Sequence, residues 1–438
     1  ACTATTERAH RHPGRHAGPV GSGVRVRGAA MIPRPLAGAE VVVTGAGVAG
    51  LAVAACLAGR GARVAVLERA AGPSAVGAGI QLSPNAMAVL RAMGLAGRVD
   101  ALSTRAEAVR LCDGLTGRAV LRLDLTRRGA ERPYRFLHRA DLIDALTGAA
   151  VAAGATLAYG RTVRAVGLDG PRPVAELEDG RILTPDLLVG ADGLKSLAHR
   201  ALNGVVAPFF TRQAAWRALI PGEAGAAPEA EVHMAPGRHV VSYPLRGGAL
   251  RNIVAVEERA EWLAEGWSQP GDPQVLRATF ADFGPRVTGW LAAVETAGLW
   301  GLYRHPVPRR WHAALDEGAA VILGDAAHPT LPFLAQGAAM ALEDAWVLAR
   351  SLGEGGIGED ALRAFGDRRR PRVERLVAAA DGNARAYHLR GPARWIAHRG
   401  LGLAGRLAPG LMLRRQDWIW RHDVTAPDQA SSVAQTGT

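Results

Sequence analysis

Lysine is almost missing from this 438-residue chain: Lys195 is the only one, and arginine carries nearly all of the net charge of +12. A surplus of arginine can signal an anionic partner, yet a GC-rich coding sequence yields the same bias, and no stripe suited to nucleic acid forms. Arg368, Arg369, Arg370, Arg372 and Arg375 crowd one region, but Glu374 and Asp381 interrupt them, the pattern of a solvated or subunit-facing helix. Cysteine is scarce as well. Cys2, Cys56 and Cys112 are odd in number and far apart, so a disulfide framework and zinc spacing are both excluded, no metal site is expected, and a cytoplasmic location follows. The 54 glycines keep no fixed period, which excludes collagen-like and solenoid designs. Residues 1–36 are rich in Gly, Pro, Arg and His, lack the apolar stretch of a secretory signal, and read as a disordered extension in which His10, His12 and His16 are part of a polar tail. No uninterrupted membrane span exists: Leu36 to Gly59 is nearly all apolar, but Glu40 and the glycines at 45, 47 and 50 divide it into a strand and a helix. What remains, at 48% hydrophobic, is a soluble globular chain long enough for two or three packed units.

The short run AEVVVT (39–44) has the β-branched character of a buried parallel strand. Gly45-Ala46-Gly47-Val48-Ala49-Gly50 follows it, then an apolar helix from Leu51 to Ala58, then a second strand RVAVL (63–67) that ends on Glu68. In such a turn the first glycine allows the tight reversal, the second lets backbone approach a pyrophosphate, and the third lets helix and strand pack closely. The helix N-terminus presents free N–H groups to phosphate, and Glu68 stands where an acid accepts the hydroxyls of an adenosine ribose. A second match, Gly400-Leu401-Gly402-Leu403-Ala404-Gly405, follows no β-run and lacks the acid, so it reads as loop and helix packing. Further on, GAGIQL (77–82) precedes Ser83 as N-cap, Pro84 as first helical residue, and Gly94 as the stop of a helix running to Met93. By itself that segment is a glycine-permitted backbone pass with a structural explanation.

With GAGVAG, LER (67–69), GAGIQLSPN, HRADL (138–142), VGADGLKS (189–196) and LGDAAHPTLPFLAQGAAMALEDA (323–345) in order, the chain resembles the class A FAD-dependent aromatic hydroxylases of the p-hydroxybenzoate hydroxylase fold. Within them it is similar to the branch of salicylate hydroxylase, 3-hydroxybenzoate 6-hydroxylase and 6-hydroxynicotinate 3-monooxygenase, from about Ala39 to Val424. The resemblance implies an α/β fold: a Rossmann-like FAD-binding domain with an interleaved β-sheet substrate domain and C-terminal helices. Its expected parts are FAD-binding segments 37–208 and 305–385, a substrate sheet at 209–304, and a helical segment with a tail at 386–438. It implies that Gly79, Ile80 and Gln81 pass beside the flavin, that Glu68 and Arg69 hold the adenosine ribose side, and that Arg139 lies near the pyrophosphate and ribityl chain. Asp192 and Gly193 match a motif linked to both FAD and pyridine nucleotide. That motif normally continues Ser-x-x-Arg, whereas this chain has His199 and only then Arg200, leaving NADH and NADPH both open. Asp325 is expected on a ribityl hydroxyl. Pro329 and Pro332 would fix a rigid turn beside the ring, and Gln336, Gly337 and Ala338 would open a helix whose N–H groups face the flavin N1–C2=O edge, where a helix N-terminus stabilises an anion by roughly 0.3–2 kcal/mol. Ala335 stands where a glycine is common.

In the substrate half, RHVVSYPL (238–245) alternates, so His239, Val241 and Tyr243 share a strand face, and RNIVAV (251–256) pairs with it across Arg246-Gly247-Gly248. From alternation alone His239 and Tyr243 are core residues of a sheet. The resemblance makes them pocket residues, His239 taking a phenol proton and Tyr243 orienting the ring oxygen. Trp216 and Arg217 are secondary pocket or sheet candidates, and Gln416–Val424 is similar to the closing segment of the branch. The implied activity is NAD(P)H- and O2-dependent hydroxylation of a small aromatic through a flavin C4a-hydroperoxide, with FAD held noncovalently because no His or Cys lies in a flavin-linking context. No nucleic-acid or membrane partner is expected, and a homodimer is compatible with the arginine-rich helix. Two alternatives remain: an epoxidase or oxidative decarboxylase of a secondary metabolite, and a basic FAD-binding protein that associates with nucleic acid or membrane without turnover.

Overall fold

The computed structural model describes residues 35–73, 78–129, 131–262 and 269–427. The expected extension therefore falls outside the described residues except at its last positions, where Leu36 is buried and its N–H bonds the Arg60 carbonyl, so the packed chain begins at least there. The first strand, Glu40–Thr44, lies between Leu187–Gly190 and Arg63–Glu68 in a six-stranded sheet. Thr156–Tyr159 extends this sheet on one side and Ala319–Ile322 on the other; all of these pairings are parallel, and only the edge strand His312–Ala314 is antiparallel. Val41, Val43, Leu187 to Val189 and all of Ala319–Ile322 are buried, as strands covered on both faces must be. The helix Val48–Ala58 begins inside the glycine turn, earlier than the apolar run suggested, and packs with the long helix Gly337–Gly355.

The second sheet has eight strands, ordered Gln269–Gly271, Ala297–Arg304, Phe209–Pro221, Leu250–Glu258, Arg238–Leu245, Glu229–Ala235, Ala108–Asp113 and Ala119–Asp124. The last two correct the expected division. They lie within 37–208, but Ala108–Asp113 pairs in parallel with Glu229–Ala235, so this segment serves the second sheet. The described residues pack as one unit, and the stretches 37–208, 209–304 and 305–385 do not separate within it. The helix Glu359–Tyr387 ends just past the expected boundary at 385.

The second glycine motif resolves simply. Gly400 to Gly405 lies inside the helix Gly391–Leu407, where a Cβ on Gly405 would come within 2.5 Å of Leu121, so that glycine lets helix and strand approach. Among the described residues no helix is long and apolar enough to cross a membrane.

The arginine run is a solvated face only in part: Arg368 and Arg375 are exposed, while Arg369 and Arg372 turn inward. Arg369 is fully buried and Arg372 nearly so. Both reach back to the helix Gly337–Gly355, Arg369 pairing with Glu343 at 2.7 Å and Asp344 at 2.8 Å, and Arg372 pairing with Glu343 at 2.8 Å. Asn85 donates to the same Glu343 at 2.7 Å. Burial alone pushes these two carboxyls up; Arg369 and Arg372 at Glu343, and His328 and Arg369 at Asp344, more than reverse this and leave each at about 2.

Candidate active site

Both sheets open onto one cleft of about 540 Å³. At one end is the glycine turn. Gly45 has φ +97°, and a Cβ there would come within 2.5 Å of the Ala191 carbonyl oxygen, while a Cβ on Gly50 would collide with the Gly45 carbonyl. Gly47 lines the cleft, and a Cβ on it would meet no protein atom within 4 Å. Glu68 closes the second strand and braces the turn: one carboxylate oxygen accepts the Ala46 N–H at 2.8 Å, the other the Ala70 N–H at 2.9 Å. Val48, Ala49, Arg69, Gly79, Ile80, Gln81 and Arg139 line the same space, with Arg161 and Lys195 adding positive charge. Arg161 follows the strand beside Arg63–Glu68, so it stands at the carboxyl end of a parallel sheet, where ligands of such folds bind. Sequence reading passed over it. Ala46 and Gly50 do not line the cleft; their part is the turn itself.

In the middle of the cleft are two acids. Asp192 accepts the Leu197 N–H at 2.9 Å through one oxygen, and its other oxygen is buried without a partner. Burial raises its pKa, against the bonds from Ser196 and Leu197. Asp325 faces the cleft from the turn after Ala319–Ile322; the enclosing walls raise its pKa, opposed by His328 and Arg139. That turn is held from behind, because Asp344 accepts the Gly324 N–H at 3.0 Å and pairs with His328. His199, which replaces the expected arginine, is buried, bonds the Ala326 carbonyl at 2.8 Å and packs at a tilt against His305, whereas Arg200 is exposed.

The helix Gly337–Gly355 points its first residues, Gly337 and Ala338, at the cleft. Gln336 stands at the N-cap of this helix but does not itself line the cleft. Its side chain is buried away from the cleft, donating to Ser83 at 2.9 Å and accepting from Asn85 at 3.1 Å. Ser83 occupies the N-cap position, yet its hydroxyl serves this network and makes no capping bond. Pro332 opens a short 3-10 turn and lines the cleft, where a group with no proton to exchange contributes shape. Ala335 ends that turn at φ +52°, a left-handed conformation that costs a side chain about 1–2 kcal/mol.

At the far end the second sheet supplies one row. Val241, Val254 and Arg217 are cross-strand neighbours on three adjacent strands, and all three line the cleft with His239 and Tyr243. Alternation sends Trp216 to the opposite side, where it is buried and its indole N–H donates to Glu257 at 2.8 Å. Arg217 lies over Trp300 at 4.5 Å, has no ion pair among the described residues, and leaves its Nε without a partner. Burial lowers its pKa, with Tyr243 opposing. Tyr243 packs on Phe136, and its pKa is raised by burial, so it stays a phenol. Gly79 makes room for it: a Cβ there would come within 2.7 Å of the Tyr243 hydroxyl. His239 departs from the ordinary histidine range. It is buried among Phe333, Tyr387 and His388, and burial together with His388 holds its pKa well below 6.5.

One further cluster, away from the cleft, brings ligand atoms of Cys112, Glu231 and His233 within 4.8 Å of one another. Glu231 is already paired with Arg286 and Arg110, and burial pushes the Cys112 thiol up to about 11, so the group is an ion-pair node.

Open backbone at Gly47, an unpartnered oxygen on Asp192, and cations along the cleft fit a flavin dinucleotide. The comparisons agree. The FAD binding domain family matches residues 38–380. The 3-amino-4-hydroxybenzoate 2-monooxygenase of Streptomyces cremeus is 37% identical over 361 residues, covering 80% of this chain and 88% of that protein. The 3-hydroxybenzoate 6-hydroxylase 1 of Aquipseudomonas alcaligenes is 31% identical, with 87% and 97% covered. The solved structure of a salicylate hydroxylase substrate complex has a TM-score of 0.73 at 22% identity, covering 88% of this chain and 96% of that one, a likeness of fold. The chain belongs to the FAD binding domain family, in its branch of flavin-dependent aromatic monooxygenases.

Proposed function

We propose that this enzyme hydroxylates a small aromatic ring bearing both a hydroxyl and a carboxylate, using O2 and NADH or NADPH, with FAD bound noncovalently. The observation that carries the substrate class is Arg217: an enclosed guanidinium with no acidic partner among the described residues, lining the same end of the cleft as the two groups suited to a phenol. An uncompensated cation in such a place is costly, and a substrate carboxylate relieves the cost. Bound FAD, once reduced, supplies the electrons and the activated oxygen. The chain's own residues prepare the ring. Arg217 anchors the carboxylate, Tyr243 donates to or aligns the ring oxygen, and neutral His239 accepts the phenol proton, which makes the ring electron-rich. Val241, Val254 and Phe333 line the cleft with apolar surface that excludes water. Among the described residues no cysteine lines the cleft, which supports a noncovalent cofactor; Cys56 and Cys112, free and buried, support a cytoplasmic enzyme.

The test is NADH and NADPH consumption over a panel of monohydroxybenzoates and aminohydroxybenzoates, with products identified by mass. One member should stimulate consumption and gain one oxygen atom. Stimulation by neutral phenols and by none of the acids would overturn the assignment of Arg217.

A further inference from the structure

His239 poses a difficulty that the rest of the molecule answers. A histidine buried beside Phe333 and Tyr387 is a poor place to leave a positive charge, yet taking a phenol proton creates one. Its Nδ1 lies 2.7 Å from His388 Nε2, and His388 Nδ1 lies 3.1 Å from Glu258 Oε1. His388 is itself buried, but the Glu258 side chain is 41% exposed and is held from the solvent side by Arg390 at 2.5 Å. The line therefore runs from the cleft, past the end of the strand Leu250–Glu258, to water.

We propose that His239, His388 and Glu258 form a proton relay that carries the substrate hydroxyl's proton out of the closed site; this rests on the reading of His239 as the base. The tautomers follow from the chemistry of the last member. An ionised carboxylate only accepts, so His388 donates its Nδ1–H to Glu258 and keeps a lone pair on Nε2. His239 must then donate its Nδ1–H to that lone pair, which leaves Nε2 as the acceptor at the cleft. In the forward step the phenol O–H breaks and its proton joins His239 Nε2. The Nδ1 proton of His239 passes to His388 Nε2, and the Nδ1 proton of His388 passes to Glu258 Oε1 and on to water. Substrate becomes phenolate, one proton reaches solvent, and both rings stay neutral. Reprotonation of the product hydroxyl runs the line backward and restores the starting tautomers. The charged and titratable groups facing His388 are Glu258, Arg390 and His239; Tyr387 packs on His239 as a neutral phenol, its pKa pushed up to about 12 by burial. His388 and Glu258 act through His239 and touch no substrate.

Two measurements on the FAD-loaded enzyme decide this. Nitrogen-15 spectra of labelled histidines should show both His239 and His388 as Nδ1–H tautomers; His239 found as Nε2–H overturns the relay without any substrate. Product formed per NAD(P)H consumed is then followed against pH with 3-amino-4-hydroxybenzoate. In Glu258→Gln and His388→Gln it should fall about tenfold near pH 6.5, part of the hundredfold or more that a general base carries, and recover as pH rises and the substrate ionises unaided. Glu258→Gln replaces a surface side chain and keeps the fold if His388→Gln does not. Wild-type pH profiles in both, with loss in His239→Ala, would overturn the relay and keep the base. Wild-type coupling in His239→Ala would overturn both.

Discussion

Arg217 and Asp325 show how single side chains in this cleft are defined by what they lack. Arg217 has no carboxylate partner among the described residues, and Asp325 faces the cleft with its pKa raised by enclosure. In the proposed function each receives its counterpart from a ligand. Arg217→Met keeps the length of the side chain and removes the charge. A charge-assisted bond is worth about 1.5–3 kcal/mol, so KM for the acidic substrate should rise about tenfold to a hundredfold while its neutral amide analogue is little affected. Steady-state kinetics on the acid and amide pair check this; equal losses on both would mean that Arg217 only supports Trp300. Asp325→Ala should weaken FAD binding by a similar 1.5–3 kcal/mol, read as the dissociation constant from flavin fluorescence. Wild-type affinity in that variant would remove Asp325 from the cofactor site.

Elements in this fold are placed by contacts that differ greatly in how far they reach along the chain. The helix Gly337–Gly355 is anchored by Gln336 to Ser83 and Asn85, and by Glu343 and Asp344 to Arg369 and Arg372. Asp344 also holds the Gly324 N–H, so the same anchor sets the turn that carries Asp325. Arg369→Met fits the space but leaves two buried carboxylates short of a partner, which typically costs 3–5 kcal/mol. Denaturant unfolding should show that loss, and FAD affinity should fall with it because the Asp325 turn loosens. An unchanged midpoint would mean that Arg372 and His328 alone satisfy the pair. The glycine turn, the strand that ends on Glu68 and the alternation of His239, Val241 and Tyr243 are legible in sequence because the information lies within a few neighbours. The role of Arg369 is not, since its partners lie 25 and 26 residues away and a buried clamp has the same composition as a solvated face. His388, 149 residues from His239, has no local signal at all. The membership of Ala108–Asp124 in the second sheet is likewise a pairing across more than a hundred residues.

Across the whole molecule, three buried carboxyls have pKa values lowered to about 2, in two separate clusters: Glu343 and Asp344 behind the cleft, and Glu231 within the second sheet. For Glu231 burial again acts upward, and His233, Arg286 and Arg110 outweigh it. All three are lowered in the folded state from ordinary values of 4.5, 3.8 and 4.5 for Glu343, Asp344 and Glu231. Above those values both folded and unfolded chains hold the groups ionised, and their contribution to stability is fully present. As pH falls the unfolded chain binds protons first, so stability drops through the interval down to about 2, where the folded groups titrate too. Equilibrium unfolding of the FAD-loaded enzyme should therefore show a denaturant midpoint that begins to fall below about pH 6.5, where the unfolded chain protonates histidines that burial holds low, His239, His305, His388 and His422 among them, and that falls more steeply below about pH 4.5. Glu343→Gln should be less stable than wild type at neutral pH, because Arg369 and Arg372 lose a charged partner in a buried place. It should also lose less on acidification, since one of the three titrating groups is gone. A variant whose acid profile keeps the full wild-type slope would show that the acid sensitivity resides outside the clamp behind the cleft.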